Sequence, residues 1–227
     1  MNTKSEMVSC TVLSPNNSGP RAYPVTRITP HCMVGQLSAK KCGDLFSHSS
    51  YQASSNYGIG RDGEIGLYVD ENKRSWCSSN ADNDNRAITI ECASDTRHPY
   101  AMNNKVYESL VRLCVDICQR YGKKKLLWFN DRTTSLTYKP KADEMIITVH
   151  RWFTQKSCPG DWLYSRLGKL ATEVTAQLQV EANQDSSEER ALPFYRVQCG
   201  AFSKIENAEK RVRELKAAGF GAVIVEE

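Results

Sequence analysis

Val149-His150-Arg151-Trp152-Phe153-Thr154-Gln155-Lys156-Ser157-Cys158-Pro159-Gly160 joins two elements of different period. Before it, Met145–Val149 is a short apolar run of strand type that ends at His150. After it, Leu163, Leu167, Leu170, Val174 and Leu178 recur at helical spacing and predict an amphipathic helix starting near Gly160. Between strand and helix stand an imidazole, an ammonium and a thiol. His and Cys are the side chains zinc prefers, and a lysine beside them is a cation for a developing negative charge.

The same alternation of periods runs upstream. Val25–His31 reads as a strand that delivers His31 at its C-terminal end, with a short helix expected around Gln36–Phe46. Asn56–Arg61 and Glu64–Val69 flank Asp62-Gly63, a hairpin-turn signal. Ala87–Cys92 alternates, with Ile88, Ile90 and Cys92 on one face and Thr89 and Glu91 on the other. A carboxylate on the second face is either solvated or lines a cleft. Val106, Leu110, Leu113, Cys114, Ile117, Cys118 and Tyr121 mark a second helix, with Gly122 placed to cap it. Strands alternating with helices predict an α/β fold, a central mixed sheet flanked by helices.

The chain has 227 residues, 40% of them hydrophobic and 25% charged, and a net charge of +4. It has room for one medium domain and a small appendage. No stretch is long and apolar enough to cross a membrane, and no secretory signal is visible at Met1–Val8. Nine cysteines, several within helix and strand patterns, fit small buried hydrophobes in a reducing compartment better than a disulfide frame. Residues 1–180 carry 23 Lys/Arg against 17 Asp/Glu. That surplus suits a polyanionic partner such as a cell wall, although a mixed solvated surface explains it equally. No basic stripe with interleaved aromatics appears, so no nucleic-acid partner is expected.

Residues 180–192 are almost devoid of apolar side chains and read as a linker after a domain over 1–179. Residues 193–227 then give a strand–helix–strand pattern. Phe194–Phe202 is strand-like, and Ser203 and Glu206 have capping-box spacing. Ala208, Val212, Leu215 and Ala218 form an apolar face, Gly219 ends the helix, and Phe220–Val225 is a second strand. So small a β-α-β piece cannot bury a core of its own and needs a partner.

His31, His150 and Cys158 stand at strand ends or just beyond. Two His and one Cys from separate segments describe an open metal site, whereas structural zinc is closed by four protein ligands. The helix expected after Pro159-Gly160 would favour the Cys158 thiolate. His48 and His98, in polar loops, read as packed or solvated. Cys32, beside His31, is the nearest fourth ligand, but neighbours on a strand point opposite ways.

Ile28-Thr29-Pro30-His31, Tyr57-Gly58-Ile59-Gly60-Arg61-Asp62-Gly63-Glu64-Ile65, Thr148-Val149-His150 and Lys156-x-Cys158-Pro159-Gly160 together resemble the type 2 N-acetylmuramoyl-L-alanine amidase family. That family includes phage lysozyme-like amidases and peptidoglycan recognition proteins, and the resemblance runs in order over residues 22–178. It implies a Zn2+ cleft on a mixed sheet, with His31, His150 and Cys158 as metal ligands. It also maps Glu91 to an acidic residue beside the metal, and Lys156 to a basic residue two before the last ligand. Two positions depart from the pattern. Ser55 stands where phage members often carry tyrosine, and Cys32 where a second His often follows the first ligand. Glu91 is therefore expected to carry proton transfer and Lys156 to stabilise the oxyanion.

Residues 194–202 with Ala208-Glu209 and 215–220 resemble the first half of a sporulation-related (SPOR) repeat, a family that binds the glycan strands of peptidoglycan. Either a second copy of the chain completes the sheet, which implies a homodimer, or the segment is a remnant. The expected activity is hydrolysis of the amide between the lactyl group of N-acetylmuramic acid and L-alanine. The expected setting is a phage or prophage endolysin held in the host cytoplasm until lysis and then acting on the cell wall. A bacterial autolysin or recycling amidase, and a non-catalytic peptidoglycan-binding protein, are the alternatives; loss of the third ligand would mark the latter, and Cys158 is present.

Overall fold

Two structural layers and a polar sheet face set up the site. The computed structural model describes residues 4–188 and 198–225. Its strands are β1 (Val8–Thr11), β2 (Asn17–Pro20), β3 (Arg27–Cys32), β4 (Tyr57–Ile59), β5 (Ile65–Leu67), β6 (Lys73–Ser75), β7 (Ala87–Cys92), β8 (Lys125–Leu127) and β9 (Glu144–Ile147). Its helices are α1 (Ala39–Phe46), α2 (Ala81–Arg86), α3 (Asn104–Arg120), α4 (Arg132–Thr137), α5 (Asp161–Tyr164), α6 (Leu167–Glu188) and α7 (Ile205–Ala217).

Seven strands form one sheet in the order β1-β5-β4-β7-β3-β9-β8, and β2 and β6 form a separate antiparallel ribbon. Every neighbouring pair in the large sheet is parallel except the β4–β5 hairpin, so the expected mixed sheet is present. The hairpin turns at Gly63, whose φ of +85° is left-handed and suits glycine. Glu64 ties this hairpin to α1, because its Oε1 accepts from the Ala39 amide at 2.8 Å.

Alternation gives the sheet two unlike faces. Ile28, Ile88, Ile90, Cys92, Met145 and Ile147 join the core with Val106, Leu110, Leu113, Cys114 and Ile117 of α3 and Leu167, Leu170, Val174 and Leu178 of α6. Burying one such side chain contributes about 1.5–3 kcal/mol. The other face carries Thr29, His31, Thr89 and Glu91. Its buried hydroxyls are paired. Thr29 Oγ1 and Thr148 Oγ1 are 2.8 Å apart, Thr148 donates to Asn83 Oδ1 at 2.9 Å, and Asn83 donates to Thr29 at 3.1 Å. Ser75 and Thr89 hydroxyls meet at 2.7 Å. Buried polar atoms left unpaired would each cost about 1–3 kcal/mol, so this floor is held in one arrangement.

The chain divides into two compact units, residues 1–184 and 185–227. Three expectations need correction. The helix starting near Gly160 is two helices. Arg166 caps the first, donating from Nη1 to the Trp162 carbonyl at 2.9 Å with its guanidinium over the Trp162 ring. Second, α6 runs on through 180–188, where a linker is expected. Glu181, Ala182, Gln184 and Glu188 are good helix formers even without an apolar face. Third, among the described residues of the C-terminal β-α-β segment the one regular element is its helix, α7. Residues 198–202 and 220–225 are not strands, and 194–197 lie outside the described residues. Among the described residues no helix is long and apolar enough to cross a membrane.

Candidate active site

His31 is the next-to-last residue of β3 and stands directly opposite Glu91 of the parallel strand β7. Both therefore rise from the polar face at the same level. His150 follows β9, the neighbour of β3 on its other side. Cys158 comes from the loop beyond. Three separate segments converge because parallel strands bring their C-terminal ends to one edge of the sheet.

The ligand atoms of His31, His150 and Cys158 all lie within 4.8 Å of one another. His31 Nδ1 is 3.3 Å from Cys158 Sγ, and the two imidazole centroids are 5.0 Å apart. His31 is buried, and burial holds its pKa well below the ordinary value, with the second imidazole adding to the effect. Burial first, and the Lys156 ammonium second, bring His150 down to about 4. Both rings are neutral near pH 7, the form that can ligate a metal. Glu91 also approaches His31, in a second group with Cys77 whose ligand atoms again lie within 4.8 Å of one another. Burial raises the Glu91 pKa to about 7, with the Cys77 thiol opposing. Lys156 is exposed and lines, with Cys158, Val34 and Tyr100, a cavity of about 310 Å³.

Arg151 fixes the loop that carries Cys158. Its amide donates to the Cys158 carbonyl at 3.1 Å and its Nη2 to Asp161 Oδ1 at 2.9 Å. Gly160 is required there, since its φ is +85° and a Cβ would come within 2.8 Å of the Pro99 carbonyl. The expected help from a helix N-terminus is not realised. Helix α5 has four residues and carries Asp161 in its first turn, and burial, followed by the neighbouring Cys32 thiol, pushes Cys158 well above the ordinary thiol range. A bound metal ion would favour the thiolate of this sulfur.

The remaining sequence readings fall out as follows. Cys32 belongs to the apolar core, on the face opposite His31, yet meets Cys158 at the end of β3. Ser55, at the position where a tyrosine was looked for, is buried and donates to the Tyr57 carbonyl at 2.7 Å. His98 is exposed and pairs with Asp161 at 2.7 Å, and His48 is exposed. Sequence reasoning missed Cys77, Ser79 and Arg151. Ser79 acts through His150, distant in sequence, Arg151 acts through the folded turn at 157–161, and a polar loop such as 76–80 has no period to announce it.

The donor set fits zinc. Two neutral imidazoles and a thiol are its preferred ligands, and three protein ligands leave a position open, as in catalytic sites. His31 Nε2 and Glu91 Oε2 are buried without a hydrogen-bond partner. Such orphaned atoms are rare in finished cores and mark a site shaped for something further.

The family model described as N-acetylmuramoyl-L-alanine amidase matches residues 21–161, and the SPOR domain model matches residues 191–227. Among solved structures, a selenomethionine derivative of AmpD is similar at 19% identity and a TM-score of 0.52, over 75% of this chain and 98% of that one. PlyL is similar at 14% identity and a TM-score of 0.50, over 74% of this chain and 96% of that one. At those identities the likeness bears on the fold alone. No curated protein matches the chain. The first match covers more than half of the sequence and includes His31, Glu91, His150, Lys156 and Cys158 together. By that match the chain belongs to the N-acetylmuramoyl-L-alanine amidase family.

Proposed function

We propose that the protein is a zinc-dependent N-acetylmuramoyl-L-alanine amidase that hydrolyses the lactyl–L-alanine amide of peptidoglycan. The observation that carries the metal part is the convergence of His31, His150 and Cys158 within 4.8 Å at the C-terminal edge of the sheet. Those three residues would hold the ion. Bound there, zinc would supply a Lewis acid able to polarise the scissile carbonyl and lower the pKa of water to roughly 7.

The chain's own groups do the rest. Glu91 takes a proton from the attacking water and delivers it to the departing amine of L-alanine. A carboxyl with a pKa near neutrality is matched to both halves of that task. Lys156, at the cavity beside Cys158, meets the negative charge that develops on the carbonyl oxygen. Loss of one such donor lowers kcat by about 10²–10³. The apolar floor under β3 and β7 and the paired threonines beside it keep His31 and Glu91 from relaxing away.

The C-terminal unit serves wall binding in this reading, on the strength of the SPOR match. A catalytic unit joined to a wall-binding unit suits an endolysin, which must find the wall and cut it in one encounter. Phe202, Ile205, Phe220, Val223 and Val225 are exposed, which supports a homodimer in which two copies complete one sheet. A strict monomer by light scattering would count against that dimer.

The metal dependence is tested by stripping the protein with a chelator and assaying purified walls. New amino groups should disappear on stripping and return with zinc. Undiminished release from the stripped protein would remove zinc from the mechanism.

A further inference from the structure

Residues 76–80 join β6 to α2 beside the site, and one buried carboxylate holds their backbone. Asp84 Oδ2 accepts from the Cys77 amide at 3.1 Å, both of its oxygens accept from the Ser78 amide at 3.1 Å, and Oδ1 accepts from Ser78 Oγ at 2.6 Å. So clamped, the loop brings two side chains to the site, Cys77 partly buried and Ser79 at the surface. Cys77 Sγ donates to Glu91 Oε1 at 3.8 Å, and Ser79 Oγ lies 3.2 Å from His150 Nε2. Ser79 reaches this place at a φ of +58°, a conformation that non-glycine residues adopt at an energetic penalty and that clusters at functional sites.

We propose that Ser79 and Cys77 are positioning residues of the metal centre, with Asp84 as their anchor. With Nε2 engaged by Ser79, Nδ1 is the nitrogen of His150 left for an ion. A metal on Nδ1 leaves the proton on Nε2, which then donates to Ser79 Oγ and fixes both tautomer and ring orientation. Cys77 performs the parallel service for Glu91. One Glu91 oxygen receives the thiol hydrogen while the other, buried and unpartnered, stays free for proton transfer. The inference rests on the zinc reading above.

Ser79→Gly separates this role from a structural one, because it removes the hydroxyl and relieves the left-handed strain together. Zinc affinity, read by competition with a chromophoric chelator, should weaken about 10–100-fold, while the Tm of the metal-free protein stays equal or rises. Affinity within twofold of wild type, or affinity and metal-free stability falling together, overturns the assignment of Ser79. For Cys77, the alanine variant should lose about five- to tenfold in kcat at unchanged KM and unchanged zinc affinity, and Cys77→Ser should restore kcat. Wild-type kcat in Cys77→Ala, or equal impairment in both variants, overturns the assignment of Cys77. Wild-type protein that binds no zinc would instead defeat the parent reading, so the two failures are distinct.

Discussion

Glu91 shares a strand face with Thr89 and a register position with His31, and burial lifts its pKa from 4.5 to about 7. A carboxyl raised on folding adds stability that is complete below pH 4.5 and lost as pH climbs through 7. Glu91→Gln, neutral throughout, escapes that loss. In chelator, the variant should therefore match wild type near pH 4.5 and exceed it at pH 8 by up to about 3 kcal/mol in denaturant unfolding. His150, held down to about 4, loses its own contribution as pH falls from 6.5, but does so in both proteins and cancels in the comparison. Equal stabilities at both pH values would mean that the carboxyl is not buried as the structure has it. The same variant should lose nearly all turnover. Lys156→Ala, at an exposed position, should leave stability within about 0.5 kcal/mol and lower kcat about 10²–10³-fold. A fall in stability without a fall in kcat would make Lys156 a surface cation. The convergence of His31, His150 and Cys158 was legible because each is a chemically distinctive type at or beyond a strand end. Their supports were not, since Ser79, Cys77 and Asp84 look like any polar loop until residues 76–84 fold against β7 and His150.

At the scale of elements, the ion pair between Arg120 at the end of α3 and Glu71 in the β5–β6 loop joins helix to sheet. Arg120 donates to both Glu71 oxygens at 2.6 and 2.7 Å, and Tyr57 of β4 donates to the same carboxylate at 2.6 Å. Glu71 is only 2% exposed, so removing its partner strands a buried charge. Arg120→Ala should destabilise the protein by about 3–5 kcal/mol in denaturant unfolding, and a change below 1 kcal/mol would show the pair to be solvated. Elements with a strong apolar period, β3, β7, β9, α3 and the helical face of α6, were readable from sequence. Strands β1, β2 and β6 and helix α2 were not. Each is short, β2 reads Asn-Ser-Gly-Pro, and α2 covers a hydroxyl-lined floor, so its buried residues are Asn83 and Asp84 rather than apolar ones. The break between α5 and α6 was equally hidden, since it falls at Ser165 and Arg166, where the apolar spacing runs on without interruption.

For the molecule as a whole, the chain divides into units over 1–184 and 185–227, and the proposed function gives cutting to the first and holding the wall to the second. Ending the chain at residue 184 should leave turnover of a soluble muropeptide within about twofold and lower the rate on intact walls tenfold or more, since tethering raises the local concentration of substrate. Equal rates on walls would leave the C-terminal unit without a binding role. The helix there was legible from its apolar spacing, whereas the expected Ser203–Glu206 capping box is not formed: the N-cap is Lys204 and no side chain caps it. A strand-like pattern flanks it on both sides, yet among the described residues 198–202 and 220–225 are not strands. The central claim concerns one bond. The zinc-loaded protein and its Cys158→Ser variant, incubated with a defined N-acetylmuramyl peptide and followed by mass spectrometry, test it most directly. Free N-acetylmuramic acid and an intact peptide beginning with L-alanine should form with wild type and be lost in the variant. Cleavage within the peptide, new reducing sugar ends, or full activity in the variant would contradict the account.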